Sequence, residues 1–125
     1  MLMLTKILSK DRTLFFAIFC TIAILVLSLV NQIPQPENLE LNDKVGHSIA
    51  YLFLSFFWLI YGKHKNLSGI KLFYIVLACF IYGIIIELMQ HALTSTRTAS
   101  VLDVMANTLG IFVSYFTVLA LKIKS

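Results

Sequence analysis

The sequence predicts an all-α membrane protein whose four transmembrane helices form an up-down-up-down bundle. Of its 125 residues, 59% are hydrophobic and 13% are charged, and the mean hydropathy of +0.89 lies far outside the range of a soluble domain. The apolar residues fall into four runs, each close to the roughly 20 residues that a helix needs to span a bilayer. The polar segments between these runs are short, which favours antiparallel neighbours within a single membrane domain.

The first helix is predicted at residues 13–30, directly after Lys6, Lys10 and Arg12. A cleaved signal peptide is the alternative, but its apolar region normally has about 7 to 15 residues before a small-residue cleavage site. Here the apolar run is longer and leads into a polar connection, residues 31–44, with two prolines that disfavour continuing the helix. We therefore expect an uncleaved first helix.

The other three helices are predicted at about 45–61, 72–89 and 101–121. The first of these is rich in aromatic residues, which are common at membrane interfaces. A short basic turn, 62–71, and a polar loop, 90–100, connect the three helices. All four helices then belong to one domain, residues 1–125.

The basic residues predict the orientation in the membrane. If the N-terminus is cytoplasmic, only Lys44 and Arg97 of the ten Lys and Arg residues lie outside. Because short cytoplasmic loops carry the excess of positive charge, both termini are predicted to be cytoplasmic, and loops 31–44 and 90–100 to face outward. The basic residues lie between apolar runs rather than on one face, so the net charge of +4 does not indicate nucleic acid as a partner. Membrane lipids are the expected partners.

Polar residues near the outer ends of three helices indicate a site. An ionisable side chain at membrane depth costs roughly 3 kcal/mol by insertion measurements, so its presence there suggests a function. Residues three or four positions apart share one face of a helix. The predicted topology places three such faces at the same outer depth, and we expect them to line one outward-facing cavity. The three sets are Asp43, His47 and Tyr51; Glu87 and Gln90; and Asp103, Asn107 and Gly110.

Several of these polar residues also have structural explanations. Ser100 and Asp103 resemble a capping box at the start of the fourth helix. Asp43 is well placed to cap the second helix, and Lys44 can extend its ammonium from lipid into water. Asn107 can make an interhelical hydrogen bond worth about 1 kcal/mol.

Glu87 is harder to explain, because a carboxylate near a helix C-terminus opposes the helix dipole. It either pairs with Arg97 across two helices or acts as a general base or ligand contact. His47 is a candidate general base as well, since Asp43 lies one turn away and supplies an orienting carboxylate.

The sequence carries no motif for a metal, a cofactor or covalent catalysis. A zinc site made of His47, Glu87 and Asp103 is chemically possible, but no HExxH or comparable ligand spacing occurs, so we expect no metal and no cofactor. The absence of a nucleophile elbow or a phosphate-binding loop disfavours covalent catalysis. Cys20 and Cys79 lie inside apolar runs and are expected to behave as small apolar residues.

Three blocks of the sequence together resemble the VanZ-like family of small bacterial membrane proteins. They read Asp43-Lys44-x-x-His47-x-x-x-Tyr51, Glu87-x-x-Gln90, and Arg97-x-x-Ser100-x-x-Asp103-x-x-x-Asn107-x-x-Gly110. The resemblance covers the chain from about residue 31 onward, while the first helix is similar only in being hydrophobic. It implies a multi-pass protein of the bacterial cytoplasmic membrane, in a family whose named member is associated with low-level teicoplanin resistance.

Two functions follow as hypotheses, and the sequence does not decide whether the protein is an enzyme. In the first, the outer cavity binds a lipid-linked peptidoglycan precursor, another envelope component or the glycopeptide itself, and so lowers glycopeptide susceptibility. The second is a small membrane hydrolase or transferase with Glu87, His47 and Asp43 as its acid and base groups. A third, purely structural hypothesis is that the protein is a scaffold for other proteins of the cell envelope. The residues expected to bind the ligand are Lys44, Tyr51, Gln90, Arg97, Ser100, Asp103 and Asn107.

Overall fold

A computed structural model describes residues 9–30, 40–93 and 101–121, without the side chains of residues 40–43. All regular structure in these ranges is helical. The four helices are α1 (Lys10–Leu29), α2 (Glu40–His64), α3 (Ile70–Leu93) and α4 (Val101–Ala120). Each is long and apolar enough to cross a membrane, which confirms the predicted fold class.

Two of the helices extend well beyond their predicted bounds. α2 begins at Glu40, inside the segment 31–44 that was predicted to be a polar connection, and α3 continues to Leu93, inside the predicted loop 90–100. The predicted basic turn 62–71 is likewise shorter, since α2 ends at His64 and α3 begins at Ile70. An apolar run marks only the part of a helix that is surrounded by lipid, whereas the helical hydrogen bonds continue into the polar interface.

Local sequence explains where α2 ends. Asn66 adopts a left-handed conformation with φ 65°, a conformation that Asn tolerates better than most residues. The amide of Asn66 donates to the carbonyl of Lys63, and the amide of Leu67 donates to that of Gly62, both at 3.0 Å. This pair of hydrogen bonds is a Schellman motif, which satisfies the last carbonyls of α2 and turns the chain toward α3.

The helices alternate in direction, so α2 and α4 run parallel to each other and form the most extensive helix pair. Lys44 at the start of α2 contacts Asp103 at the start of α4, while Lys63 at the end of α2 donates to the carbonyl of Leu121 at 3.5 Å, just beyond α4. α1 and α3 also run parallel, since Gln90 near the end of α3 contacts Ser28 near the end of α1. This is the predicted up-down-up-down order.

The bundle has two chemically different ends. The end formed by the starts of α2 and α4 and the ends of α1 and α3 is called the polar end. The opposite end is called the basic end, and its described basic residues are Lys10, Arg12, Lys63, Lys65 and Lys71. Large apolar side chains such as Phe15, Phe116 and Leu88 are exposed along the outer faces between these ends, as lipid contact requires. The cytoplasmic position of the basic end stays a prediction from the positive-inside rule.

Candidate functional site

A cluster of polar side chains from three helices lies at the polar end. α2 contributes from its early turns, α4 from its first two turns and α3 from its last two, so the up-down-up-down order brings them to one depth. Helical spacing of three or four residues places each helix's contribution on the face toward its neighbours. We call this set the polar cluster; its members are Lys44, His47 and Tyr51 of α2, Glu87 of α3, and Asp103 and Asn107 of α4.

Lys44 and Asp103 form an ion pair between α2 and α4, in which the ammonium donates to Oδ1 of the carboxylate. The Lys44 side chain is 26% exposed and that of Asp103 is 10% exposed, so the pair lies at the rim of the bundle. A carboxylate in the first turn also suits the positive end of the α4 dipole. The predicted partner of Asp103 in a capping box, Ser100, lies outside the described residues. The described contact of Asp103 therefore links two helices.

His47 lies between Asp103 and Asn107, the two members of the polar cluster that belong to α4. Its Nδ1 is 3.2 Å from Oδ1 of Asn107, and its Nε2 is 3.9 Å from Oδ2 of Asp103. An amide oxygen can only accept, so with the Asn107 amide oriented in this way Nδ1 of His47 carries the hydrogen and donates it. The interhelical hydrogen bond predicted for Asn107 is thereby confirmed.

Glu87 completes the cluster from α3. Its side chain is buried, and one carboxylate oxygen lies within 4.8 Å of a ligating atom of both His47 and Asp103. The three residues, predicted from the sequence to converge at one depth, do so in the structure. Burial in a low-dielectric interior strengthens the electrostatic interactions among these groups relative to those in water.

Two buried polar groups beside this arrangement have no hydrogen-bond partner among the described residues. One is Nδ2 of Asn107 and the other is the hydroxyl of Tyr51. Asn107 is 3% exposed and Tyr51 is 2% exposed. Tyr51 and Asn107 both pack against Gly83. Such unsatisfied buried groups normally point to a water, an ion or a ligand.

Gln90, predicted to bind a ligand, makes a bond between helices. Its Nε2 donates to the backbone carbonyl of Ser28 at 3.0 Å, which ties α3 to α1 at the polar end. Gln90 is buried together with Glu87 one turn earlier. Its described role is to fix the helix that carries Glu87.

The closest approach of α2 and α4 depends on Gly110. A Cβ added at Gly110 would lie 2.0 Å from the carbonyl oxygen of Ser48, which no side chain can tolerate. The Ser48 hydroxyl in turn donates to the carbonyl of Ala106 at 2.8 Å. The sequence placed Gly110 on the polar face of the fourth helix but did not indicate this close approach, and it indicated no role for Ser48. Yet this contact holds the two helices at the distance at which their polar residues meet.

Three of the predicted site residues cannot be placed. Arg97 and Ser100 lie outside the described residues, and so does the side chain of Asp43. The proposed Glu87–Arg97 pair and the orientation of His47 by Asp43 therefore stay predictions. The carboxylates that the structure describes beside His47 are those of Asp103 and Glu87.

The chain matches a model of a known protein family. The family model described as VanZ/LLP1 matches residues 4–122, nearly the whole chain. It therefore includes α1, which the residue pattern described above did not cover. Neither the curated proteins nor the solved structures give a match.

Proposed function

Because the chain belongs to the VanZ/LLP1 family, we propose that it is a cell-envelope membrane protein that binds the polar head of a lipid-linked envelope component, such as a peptidoglycan precursor, at the polar cluster. Binding there lowers susceptibility to glycopeptides such as teicoplanin. The observation that carries the proposal is the position of Lys44, a partly exposed ammonium at the rim of a buried polar cluster.

The depth of Lys44 suits recognition of a lipid head group. Lys44 directly precedes the apolar run of α2 that begins at Val45, so its ammonium lies at the level where phosphate and carboxylate groups of lipids are found. Asp103 holds that ammonium at the bundle instead of letting it extend into water. The positive-inside rule predicts that this end faces outward. Glycopeptides such as teicoplanin act on peptidoglycan precursors on that side of the membrane.

A binding assay with a matched pair of lysine variants tests this proposal. The protein is placed in lipid nanodiscs and titrated with a lipid-linked peptidoglycan precursor. We expect Lys44→Gln to weaken binding at least tenfold, whereas Lys71→Gln, which removes an exposed lysine at the basic end, should leave it unchanged. Equal affinity of both variants and the wild type would contradict the proposal.

Two further measurements separate binding from folding and connect it to resistance. Because Lys44→Gln leaves the Asp103 carboxylate without this ion pair, the double variant Lys44→Gln with Asp103→Asn keeps the contact neutral and should bind as weakly as the single variant. In cells that contain equal amounts of protein, the wild type should raise the teicoplanin concentration needed to stop growth, and Lys44→Gln should not.

A second candidate function is hydrolysis or group transfer on an envelope lipid. It is favoured by the position of His47, held by Asn107 and flanked by the carboxylates of Asp103 and Glu87. Held in this way, His47 and Glu87 could serve as the acid and base of such a reaction. Incubation with envelope lipids should then give a new product by mass spectrometry that is lost in Glu87→Gln. If the wild type produces no such product, binding alone accounts for the site.

A further inference from the structure

We propose that His47, Glu87 and Asp103 bind one divalent transition-metal ion, with Zn²⁺ as the test ion. Each residue offers one ligating atom, and the three atoms lie within 4.8 Å of one another although they come from three different helices. The inference concerns an ion and does not depend on the lipid ligand proposed above.

The three donors fit the coordination chemistry of zinc. One imidazole nitrogen and two carboxylate oxygens are ligands that Zn²⁺ accepts, at distances of about 2.0 to 2.2 Å. In a tetrahedral site these distances place neighbouring donors about 3.3 Å apart. Nε2 of His47 and Oδ2 of Asp103 are 3.9 Å apart and no two of the donor atoms are more than 4.8 Å apart, so the approach needed is about 0.5 Å for this pair and at most about 1.5 Å for any pair. Small side-chain rotations provide such an adjustment.

The hydrogen bonds that His47 and Asp103 make with their neighbours are those expected of metal ligands. A ligating histidine commonly donates its other ring N–H to an oxygen, which fixes its tautomer, and ligating carboxylates are hydrogen-bonded in turn. Here Nδ1 of His47 donates to Asn107, while Oδ1 of Asp103 accepts from Lys44. Nε2 of His47 and Oδ2 of Asp103 lie 3.9 Å apart, and a metal ion between them would be bound by an electron pair from each atom, with the imidazole neutral.

Two buried polar groups near the three donors support the metal site independently of the donor distances. Nδ2 of Asn107 is a buried donor without a hydrogen-bond acceptor among the described residues, and the buried Tyr51 hydroxyl also lacks a partner there. With three protein ligands, a tetrahedral ion keeps a fourth position for water or for an incoming ligand. An oxygen bound in that position is the kind of acceptor that the buried Asn107 amide lacks among the described residues.

Metal binding is measured on the whole protein without a histidine tag, in nanodiscs of phosphatidylcholine, after removal of ions with a chelator. We expect one Zn²⁺ per chain by elemental analysis and a visible spectrum typical of tetrahedral coordination with Co²⁺, which Zn²⁺ abolishes. Substitutions of the ligands, His47→Gln, Glu87→Gln and Asp103→Asn, should each weaken binding at least 100-fold. Asn107→Ala should weaken it 10- to 100-fold, the usual cost of losing a contact to a ligand.

Matched controls are available outside the cluster. His91→Gln removes an exposed histidine of α3, and Asp11→Asn removes an exposed aspartate in the first turn of α1, so both should bind the ion as the wild type does. A loss of affinity in His91→Gln equal to that in His47→Gln would contradict the proposal.

The wild type alone provides a test that does not depend on the folding of any variant. Added Zn²⁺ should raise its Tm, and the chelator should reverse the increase. A folded wild type with no bound ion, no Co²⁺ spectrum and no change in Tm would overturn the proposal. Since these experiments contain no lipid-linked precursor, failure of the metal site is distinguishable from failure of the proposed lipid binding.

Discussion

Gly110→Ala should separate the two helices that carry most of the polar cluster. The new Cβ would lie 2.0 Å from the Ser48 carbonyl oxygen and 3.0 Å from the Leu52 amide nitrogen, whereas ordinary contact begins at 3.4 Å. α2 and α4 must therefore move apart by about 1.4 Å, because both clashing atoms belong to a helix backbone that cannot rotate away.

The expected loss of stability has two parts. Overpacking of this kind costs about 1 to 3 kcal/mol in well-packed interiors. The displacement also weakens three contacts between the helices: Lys44 with Asp103, His47 with Asn107, and Ser48 with Ala106. Polar contacts between membrane helices contribute about 0.6 kcal/mol each on average. The total loss should therefore be about 3 to 5 kcal/mol in the free energy of unfolding.

Two other glycines serve as controls in the same assay. A Cβ at Gly46 meets nothing within 4 Å, so Gly46→Ala should be neutral or stabilise α2 by up to about 1 kcal/mol. At Gly83 the nearest atoms, from the side chains of Tyr51 and Asn107, are 3.2 and 3.3 Å away and can shift, so Gly83→Ala should be intermediate.

Unfolding in detergent can be followed by the fluorescence of Trp58, the single tryptophan, together with circular dichroism. The order of stability should be Gly46→Ala, wild type, Gly83→Ala and Gly110→Ala. A Gly110→Ala protein within 0.5 kcal/mol of the wild type, roughly the spread of ordinary surface substitutions, would refute the close packing of α2 and α4.

Two further interhelical contacts give smaller and more specific effects, measurable in the same unfolding assay. Gln90→Leu loses the hydrogen bond to the Ser28 carbonyl and should lower the free energy of unfolding by about 1 kcal/mol. Gln90→Glu should lower it further, because a carboxylate oxygen then faces that carbonyl. An equal loss in both variants would argue against the hydrogen bond. Trp58→Phe removes the 2.9 Å bond from Nε1 to the hydroxyl of Thr21. A double-mutant cycle with Thr21→Val should give a coupling of about 0.6 to 1 kcal/mol, and zero coupling would exclude the bond.

The membrane fold could be predicted from the sequence because it depends on length and hydropathy alone. Four apolar runs indicate four spans whatever the details of their packing. The helix bounds could not be predicted as well, since hydropathy does not distinguish a polar helical turn at the interface from a loop. The start of α2 at Glu40 is the clearest case.

The convergence of Glu87, His47 and Asp103 could also be predicted, because topology and helical spacing fix both depth and face. The pairing of Lys44 with Asp103 could not, since it depends on which helices are neighbours and on how closely they approach. That approach is set by Gly110, and a single glycine in a sequence does not reveal which backbone lies against it. For the same reason no ligand spacing was visible: the three candidate metal ligands come from three helices, whereas motifs such as HExxH arise within one helix.

The parallel pairing of α2 with α4 has a consequence for biosynthesis. The partners across this pair are 58 to 60 residues apart in sequence, so about 3 to 12 s of translation at 5 to 20 residues per second separate the two halves of each contact. During that interval Lys44, His47 and Ser48 of α2 have been synthesised, whereas their partners in α4 have not. A chain that stops before α4 lacks all three of these contacts. The contacts that hold α2 in place at the polar end therefore form only after the last helix has been synthesised.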